Sequence, residues 1–254
     1  MTRLRAALLL PVLCATISAA ALGQPAPHEF PGYTLTAWDA RSGLPASTVW
    51  SVAQDGDGYI WLGTDNGLIR FDGVRFVPWA NLGRPALPVE QVLALYRSRD
   101  ASLWVGFGGT GGVARIRADE VTLYRGGTIG SGRVTTFGED DGGVWASVLG
   151  GTIRLVEDHW EASERASLTG RPSARTDARR HLPSDVPPFR AVRDRAGGIW
   201  AGTLGSGLWH IHPDSRGPET GAGVDHGLTD ESIRDVHEDL EGNIWVGSQS
   251  GLRR

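Results

Sequence analysis

The feature that most constrains this chain is a motif that returns five times. Its copies are Asp55-Gly56-Asp57-Gly58-Tyr59-Ile60-Trp61-Leu62-Gly63-Thr64, Ser102-Leu103-Trp104-Val105-Gly106, Asp141-Gly142-Gly143-Val144-Trp145-Ala146-Ser147, Gly197-Gly198-Ile199-Trp200-Ala201-Gly202-Thr203 and Glu241-Gly242-Asn243-Ile244-Trp245-Val246-Gly247-Ser248. The anchors Trp61, Trp104, Trp145, Trp200 and Trp245 lie 43, 41, 55 and 45 residues apart. A period near 43 matches one four-stranded propeller blade. Later glycines recur as Gly67-Leu68, Gly207-Leu208 and Gly251-Leu252.

The first copy shows the strand plan. Val49 to Gln54, Tyr59 to Gly63, Leu68 to Phe71 and Val74 to Trp79 read as four strands, and Asp55 to Gly58, Thr64 to Gly67 and Asp72-Gly73 read as the turns between them. In the second strand Ile60 and Leu62 point one way while Tyr59 and Trp61 point the other. Both faces are apolar, so the sheet needs cover on both sides, and neighbouring blades supply it. A buried indole removes roughly 150–250 Å² from water, on the order of 4–6 kcal/mol gross. The anchor tryptophans and Gly63, Gly67, Gly202, Gly207, Gly247 and Gly251 are therefore read as structural. The expected fold is an all-β propeller of about five four-stranded antiparallel blades, with an incomplete ring.

Gly43-Leu44-Pro45, Val49, Val52, Asp55, Gly58, Ile60 to Thr64, Gly67-Leu68 and Phe71-Asp72-Gly73 resemble the two-component regulator propeller repeat. The fifth copy is similar, through Gly227-Leu228, Ile233, Val236, Glu238-Asp239, Gly242, Ile244 to Gly247 and Gly251-Leu252. The middle copies have drifted, and Ser147 stands where the others carry glycine. The resemblance implies a periplasmic, ligand-sensing and non-catalytic module of a membrane signalling protein. In such proteins the output domain is a histidine kinase or a diguanylate cyclase, and no such domain follows the repeats here. Relatives carry more than five blades, so the chain reads as a fragment.

The expected organisation is a signal peptide over 1–23, an N-terminal segment over 24–42 with a ring-closing strand near Tyr33 to Trp38, and repeats over 43–254. The repeats divide as 43–80, 81–125, 126–162, 181–216 and an incomplete 225–254, with a flexible insert at 163–180. Arg3 and Arg5 ahead of an apolar run to Leu22, with small residues near Ala21 to Gly23, are the export signature. An uncleaved anchor is the alternative. The one cysteine, Cys14, lies inside that run, so the rest of the chain has neither a disulfide nor a thiolate metal site.

Composition removes several functions. All 25 basic residues are arginine, so a Walker phosphate loop, a kinase-type lysine and lysine Schiff-base chemistry are excluded. The net charge of −4 argues against nucleic acid. Gly106-x-Gly108-x-x-Gly111 imitates a dinucleotide fingerprint, but strand-like alternation follows it rather than a helix. Asp55 to Gly58 lacks the ligand pattern of a calcium loop and reads as turn chemistry. His210 and His212 share a strand face, yet no carboxylate spacing nearby completes a metal set. Neither a cofactor nor a metal is expected. The arginine-rich stretch from 165 to 180 and the acidic stretch from Asp225 to Glu241 both read as solvated surface.

The expected ligand is a small molecule or oligosaccharide, with a protein partner as the other possibility. Contact with a membrane would come only through an uncleaved signal or downstream segments, and a full-length relative could dimerise. The loop before the first strand of a blade and the loop after its second emerge on one end. Thr64, Asp65, Asn66, Ser248 and Gln249 are the candidate ligand groups there. A secreted propeller glycosidase or lyase and a protein-interaction platform are the competing readings. Carboxylates converging on the central channel would favour the enzyme, and an uncharged or aromatic rim the sensor.

Overall fold

The computed structural model describes residues 30–109, 112–129, 132–163, 173–216, 224–228 and 231–254. The export segment at 1–23 lies outside the described residues. A two-residue strand, β1 (Ala37–Trp38), precedes the first repeat. Blade one is β2 (Val49–Gln54), β3 (Ile60–Thr64), β4 (Gly67–Phe71) and β5 (Phe76–Pro78), and blade two is β6 (Val92–Arg97), β7 (Leu103–Phe107), β8 (Val113–Arg117) and β9 (Glu120–Tyr124). Blade three is β10 (Val134–Asp140), β11 (Gly143–Val148), β12 (Gly151–Val156) and β13 (His159–Ser163). A helix, α1 (Ala174–His181), leads into blade four: β14 (Arg190–Arg193), β15 (Ile199–Gly202), β16 (Leu208–Ile211) and β17 (Val224–Gly227). Blade five is β18 (Ile233–Glu238), β19 (Ile244–Ser248) and β20 (Gly251–Arg253), completed by β1. Every pairing is antiparallel, so the fold is an all-β propeller of five four-stranded blades.

In three of the five blades the turn before the anchor strand explains the Asp–Trp spacing of the repeat. Asp55 accepts the backbone N–H groups of Asp57 and Tyr59 and, through Oδ2, the Trp61 indole at 2.6 Å. Asp194 and Asp239 hold Trp200 and Trp245 in the same way, at 3.0 and 2.6 Å. One carboxylate thus closes the turn and satisfies a buried N–H. Trp61, Trp104, Trp200 and Trp245 are each 3% exposed or less.

Those four tryptophans lie at junctions between blades. Trp61 packs with Val92 and Val105 of blade two, Trp104 with Val134 and Phe137 of blade three, Trp200 with Ile233 and Val246 of blade five, and Trp245 with Val49 and Phe71 of blade one. The glycine two residues after each anchor permits this approach. A Cβ on Gly63 would lie 2.8 Å from Val92, and one on Gly106 2.7 Å from Val134. The values are 2.3 Å for Gly202 against Ile233 and 2.9 Å for Gly247 against the Val49 side chain. At each junction a β-branched residue of the next inner strand fills the space a side chain would need.

The junction between blades three and four is different, because Ser147 replaces the glycine there. Trp145 is only partly buried, and its indole lies across Gly138 of its own blade, where a Cβ would be 2.2 Å from the ring. The inner strands pack side by side in the order β14, β18, β2, β6, β10, and that packing is not repeated between β10 and β14. Instead α1 covers this face of blade four, with Ala178 and Leu182 buried against Ile199, Ala201 and Ile211. The ring is incomplete at this junction.

Several expectations change. The incomplete ring is not open at the chain ends, because the Tyr33 to Trp38 segment pairs with the last strand: Ala37 faces Arg253, and Thr36 and Arg254 exchange backbone bonds of 2.8 and 2.9 Å. The ring-closing strand takes the fourth place of blade five, so that blade has four strands. The flexible insert at 163–180 contains α1, which Ser173 caps by accepting the Thr176 N–H; its residues 164–172 lie outside the described ones. Residues 225–227, assigned to blade five, belong to β17 and pair with β16 because Gly227 faces Leu208. The acidic stretch from Asp225 to Glu241 contains the inner strand β18, with Ile233 and Val236 buried. Trp145 does not share the burial of the other anchors.

Candidate functional site

The inner strands share one irregularity that builds the site. Pairing with the second strand slips between Val49 and Ser51, between Val92 and Ala94, between Val134 and Thr136, and between Ile233 and Asp235. A residue passed over in this way leaves the ladder, and its side chain is re-aimed. The passed-over residues are Trp50, Leu93, Thr135 and Arg234, and all four line one cleft at the mouth of the central channel. Phe189 and Arg190 fill the corresponding place in blade four. The cleft is about 410 Å³, and Arg133 and the Val148–Gly150 turn complete it. A second pocket of about 280 Å³ shares Thr135, Phe189 and Arg190 and reaches Ser51, Asp235 and the start of α1.

Three guanidinium groups reach the cleft. Arg234 lies over the Trp50 ring at 4.7 Å, and its Nε is buried with no hydrogen-bond partner. Arg190 donates to the Thr135 carbonyl at 2.7 Å, which bridges blades three and four. Arg133 donates to Gln91 Oε1 at 3.2 Å. Gln91 in turn donates to Asp65, which also accepts the Trp50 indole at 2.7 Å. Burial opposes ionisation of Asp65, but the bonds from Trp50, Gln91, Thr48 and Ser47 outweigh it and hold the carboxyl below the usual range. Trp50 is thereby fixed at both its N–H and its ring face.

The one acidic group among the residues lining the second pocket is Asp235. It accepts from Ser51 Oγ and from the Val52 N–H, at 3.0 and 2.8 Å, and lies 3.9 Å from Arg190 Nε. Asp235 therefore ties the inner strands of blades five and one together. The described lining of the two pockets has Arg133, Arg190 and Arg234 on the cleft, Arg175 at the start of α1, aromatic rings at Trp50 and Phe189, and this single carboxylate.

The candidates Thr64, Asp65, Asn66, Ser248 and Gln249 lie on the same end as this cleft. Thr64 and Ser248 are fully buried, and their hydroxyls donate to the Gly67 and Gly251 carbonyls, closing turns. Asn66 donates to the Pro45 carbonyl at 3.0 Å, and the Gln249 N–H bonds to the Ser232 carbonyl. Of the five, Asp65 connects to the cleft, through Trp50 and Gln91. The chain pattern did not single out Trp50, Arg133, Phe189, Arg190 or Arg234. Their shared signal is position: Trp50, Leu93, Phe189 and Arg234 each stand eleven residues before an anchor tryptophan. The dinucleotide-like glycines lead into β8, a strand, so no helix N-terminus is presented there.

Among the described residues no helix is long and apolar enough to cross a membrane. No curated protein matches the sequence. Among solved structures, the chain is similar to the extracellular domain of the hybrid two component system BT4673 from B. thetaiotaomicron, at 16% identity over 83% of this chain and 38% of that one, with a TM-score of 0.47. It therefore spans well under half of that domain. It is also similar to a streptogramin B lyase, at 12% identity over 87% and 96% of the two chains, with a TM-score of 0.56. The WD40 β-propeller domain of Doa1 matches at 15% identity over 89% and 97%, with a TM-score of 0.57. At these identities the likeness is one of fold. The sequence itself carries a family mark: residues 43–66 match the two component regulator propeller model.

Proposed function

We propose that this propeller is the ligand-binding part of an exported, two-component-type signalling protein, and that it binds a small anionic ligand carrying a ring. The observation that carries the reading is the convergence of Arg133, Arg190 and Arg234 with Trp50 and Phe189 on one channel mouth. Arginine is suited to carboxylate, sulfate or phosphate groups because its planar fork donates in pairs. An aromatic platform fixed by Asp65 supplies the flat apolar surface that a sugar or similar ring packs on. The export signature and the resemblance to the repeat family support a periplasmic module whose output domain is a separate part of the protein. Asp235, the single carboxylate among the described residues lining the two pockets and already bonded to Ser51 and Val52, supports binding rather than two-carboxylate hydrolysis.

Calorimetry with short galacturonate oligomers and their neutral galactose counterparts tests the reading. The acidic oligomers should bind and the neutral ones should bind at least about tenfold more weakly, the weight of one charge-assisted contact. Arg133→Ala and Trp50→Ala should each weaken the acidic ligand. Equal binding of both series, binding of neither, or binding unchanged by the two substitutions would contradict it.

A further inference from the structure

Blade four carries a second cluster, remote from the channel mouth in the fold's logic because it sits on the outer strands. His210 and His212 stand two apart at the end of β16, so their side chains leave the sheet on one face. Sequence spacing offers them no carboxylate, but sheet pairing does: Asp225 of β17 lies directly opposite His210. The ligand atoms of His210, His212 and Asp225 all fall within 4.8 Å of one another. The His212 Nε2 to Asp225 Oδ2 distance is 2.7 Å.

His210 points to a ligand independently of that clustering. Its side chain is 6% exposed, and its ring stacks on Trp200 at 4.0 Å between centroids. Neither ring nitrogen has a hydrogen-bond partner. Asp194 Oδ2 comes within 3.4 Å of Nε2 but accepts the Trp200 indole. A histidine kept in a core for packing alone normally finds a partner for at least one nitrogen, because an unsatisfied buried polar atom is costly. Here two are left over, beside a second imidazole and a carboxylate. His212 and Asp225 are partly exposed, at 41% and 29%, which leaves a path for an ion from solvent.

We propose that His210, His212 and Asp225 form a site for a divalent transition metal, with Zn²⁺ the best match to two imidazoles and one carboxylate. Three protein ligands at roughly 2.0–2.2 Å leave one coordination position for water. The His212–Asp225 contact widens slightly to admit the ion. Bound there, the metal clamps β16 to β17, the outer edge of the blade that lacks a blade-three neighbour on its other side. Held across the two strands in this way, the ion makes the stability of blade four depend on metal.

The test uses the full chain, stripped with EDTA, and Zn²⁺ alone as the probe. We expect one Zn²⁺ per chain and a higher melting temperature on adding it. Co²⁺ should give the intense visible bands of a low-symmetry four-coordinate site. His212→Gln and Asp225→Asn, both at partly exposed positions, should weaken binding by more than the roughly 10–100-fold commanded by residues that merely orient a metal ligand. Their circular dichroism spectra without metal should match the parent, which separates loss of a ligand from loss of fold. Absence of stoichiometric binding would overturn the proposal. So would Zn²⁺ affinity unchanged in both variants, since the ion would then sit on other groups such as the exposed His159–Glu161 pair.

Discussion

Two seams of this ring make an instructive pair. Blade five is built from two stretches of chain far apart in sequence, β18–β20 and β1, joined only by the hydrogen bonds of β1 with β20, yet it packs tightly on blade one. Trp245 is buried against Val49 and Phe71, Gly247 admits Val49, and β1 completes the sheet beside β20. Between blades three and four the chain is continuous, yet the equivalent packing is missing. Trp145 lies on Gly138, Ser147 stands where a glycine would be, and α1 takes the place of the neighbouring blade. Connectivity therefore does not set where blades meet. The absence of a side chain two residues after the anchor does, because that space must hold the β-branched residue of the next inner strand.

The largest contrast should come from the anchors. Trp245→Ala should cost about 3–5 kcal/mol in urea melts, the usual range for emptying a buried aromatic site. Trp145→Ala, at the open seam, should cost on the order of 1 kcal/mol. Equal costs would break the comparison.

The glycine position gives the next effect. Gly63→Ala places a methyl 2.8 Å from the Val92 side chain and 2.9 Å from its carbonyl, so the strands must move apart. Overpacking of this kind costs about 1–3 kcal/mol. Ser147→Ala should stay within about 0.5 kcal/mol of the parent. A large cost at Ser147 would mean that blade three is pressed against a neighbour after all.

A smaller effect is expected from acid. Burial opposes ionisation of Asp239, but the bonds from Asn243, Trp245 and the Asn243 and Glu241 backbone outweigh it and lower the pKa. Its folded pKa lies below the unfolded value of about 3.9, so its stabilisation is complete above that value. The contribution is lost as pH falls through the depressed folded value. Thermal melts between pH 6 and pH 2 should show the parent losing stability below about pH 4. Asp239→Asn should be less stable at pH 6 and should fall less steeply. Parallel slopes would remove Asp239 from the acid response of the packed seam.

Much of this was legible because the repeat is a packing code. The anchor tryptophans, the glycines beside them and the Asp-led turns each express one contact that recurs, so strand order and blade count follow from spacing. Ser147 was visible as a departure, although its consequence appears only when four intact junctions stand beside it. The strand near Trp38 was readable as a ring-closing piece. Helix α1 was not: its arginines obscure an apolar face reduced to Ala174, Ala178 and Leu182. The start of blade five was placed too early because Gly227-Leu228 copies the Gly-Leu of an earlier repeat, while pairing across from Leu208 assigns Gly227 to blade four. The cleft was illegible for a physical reason. A one-residue slip in the ladder redirects Trp50 and Arg234, and no residue type marks that slip. The Asp225 partner of the histidines was hidden likewise, since strand register and not sequence spacing sets it opposite His210.

The central claim is that β1 and β20 close blade five without a covalent link, so that the gap in the ring lies between blades three and four. Hydrogen exchange at the Thr36 and Arg254 amides reads it directly, because these two groups bond to each other's carbonyls across β1 and β20. With the seam closed, the Thr36 amide should be protected like the anchor strands, and the Arg254 amide should exchange far more slowly than an unstructured terminus. Exchange of both at unprotected rates, with the anchor strands still protected, would contradict the pairing of β1 with β20 and leave blade five with three strands.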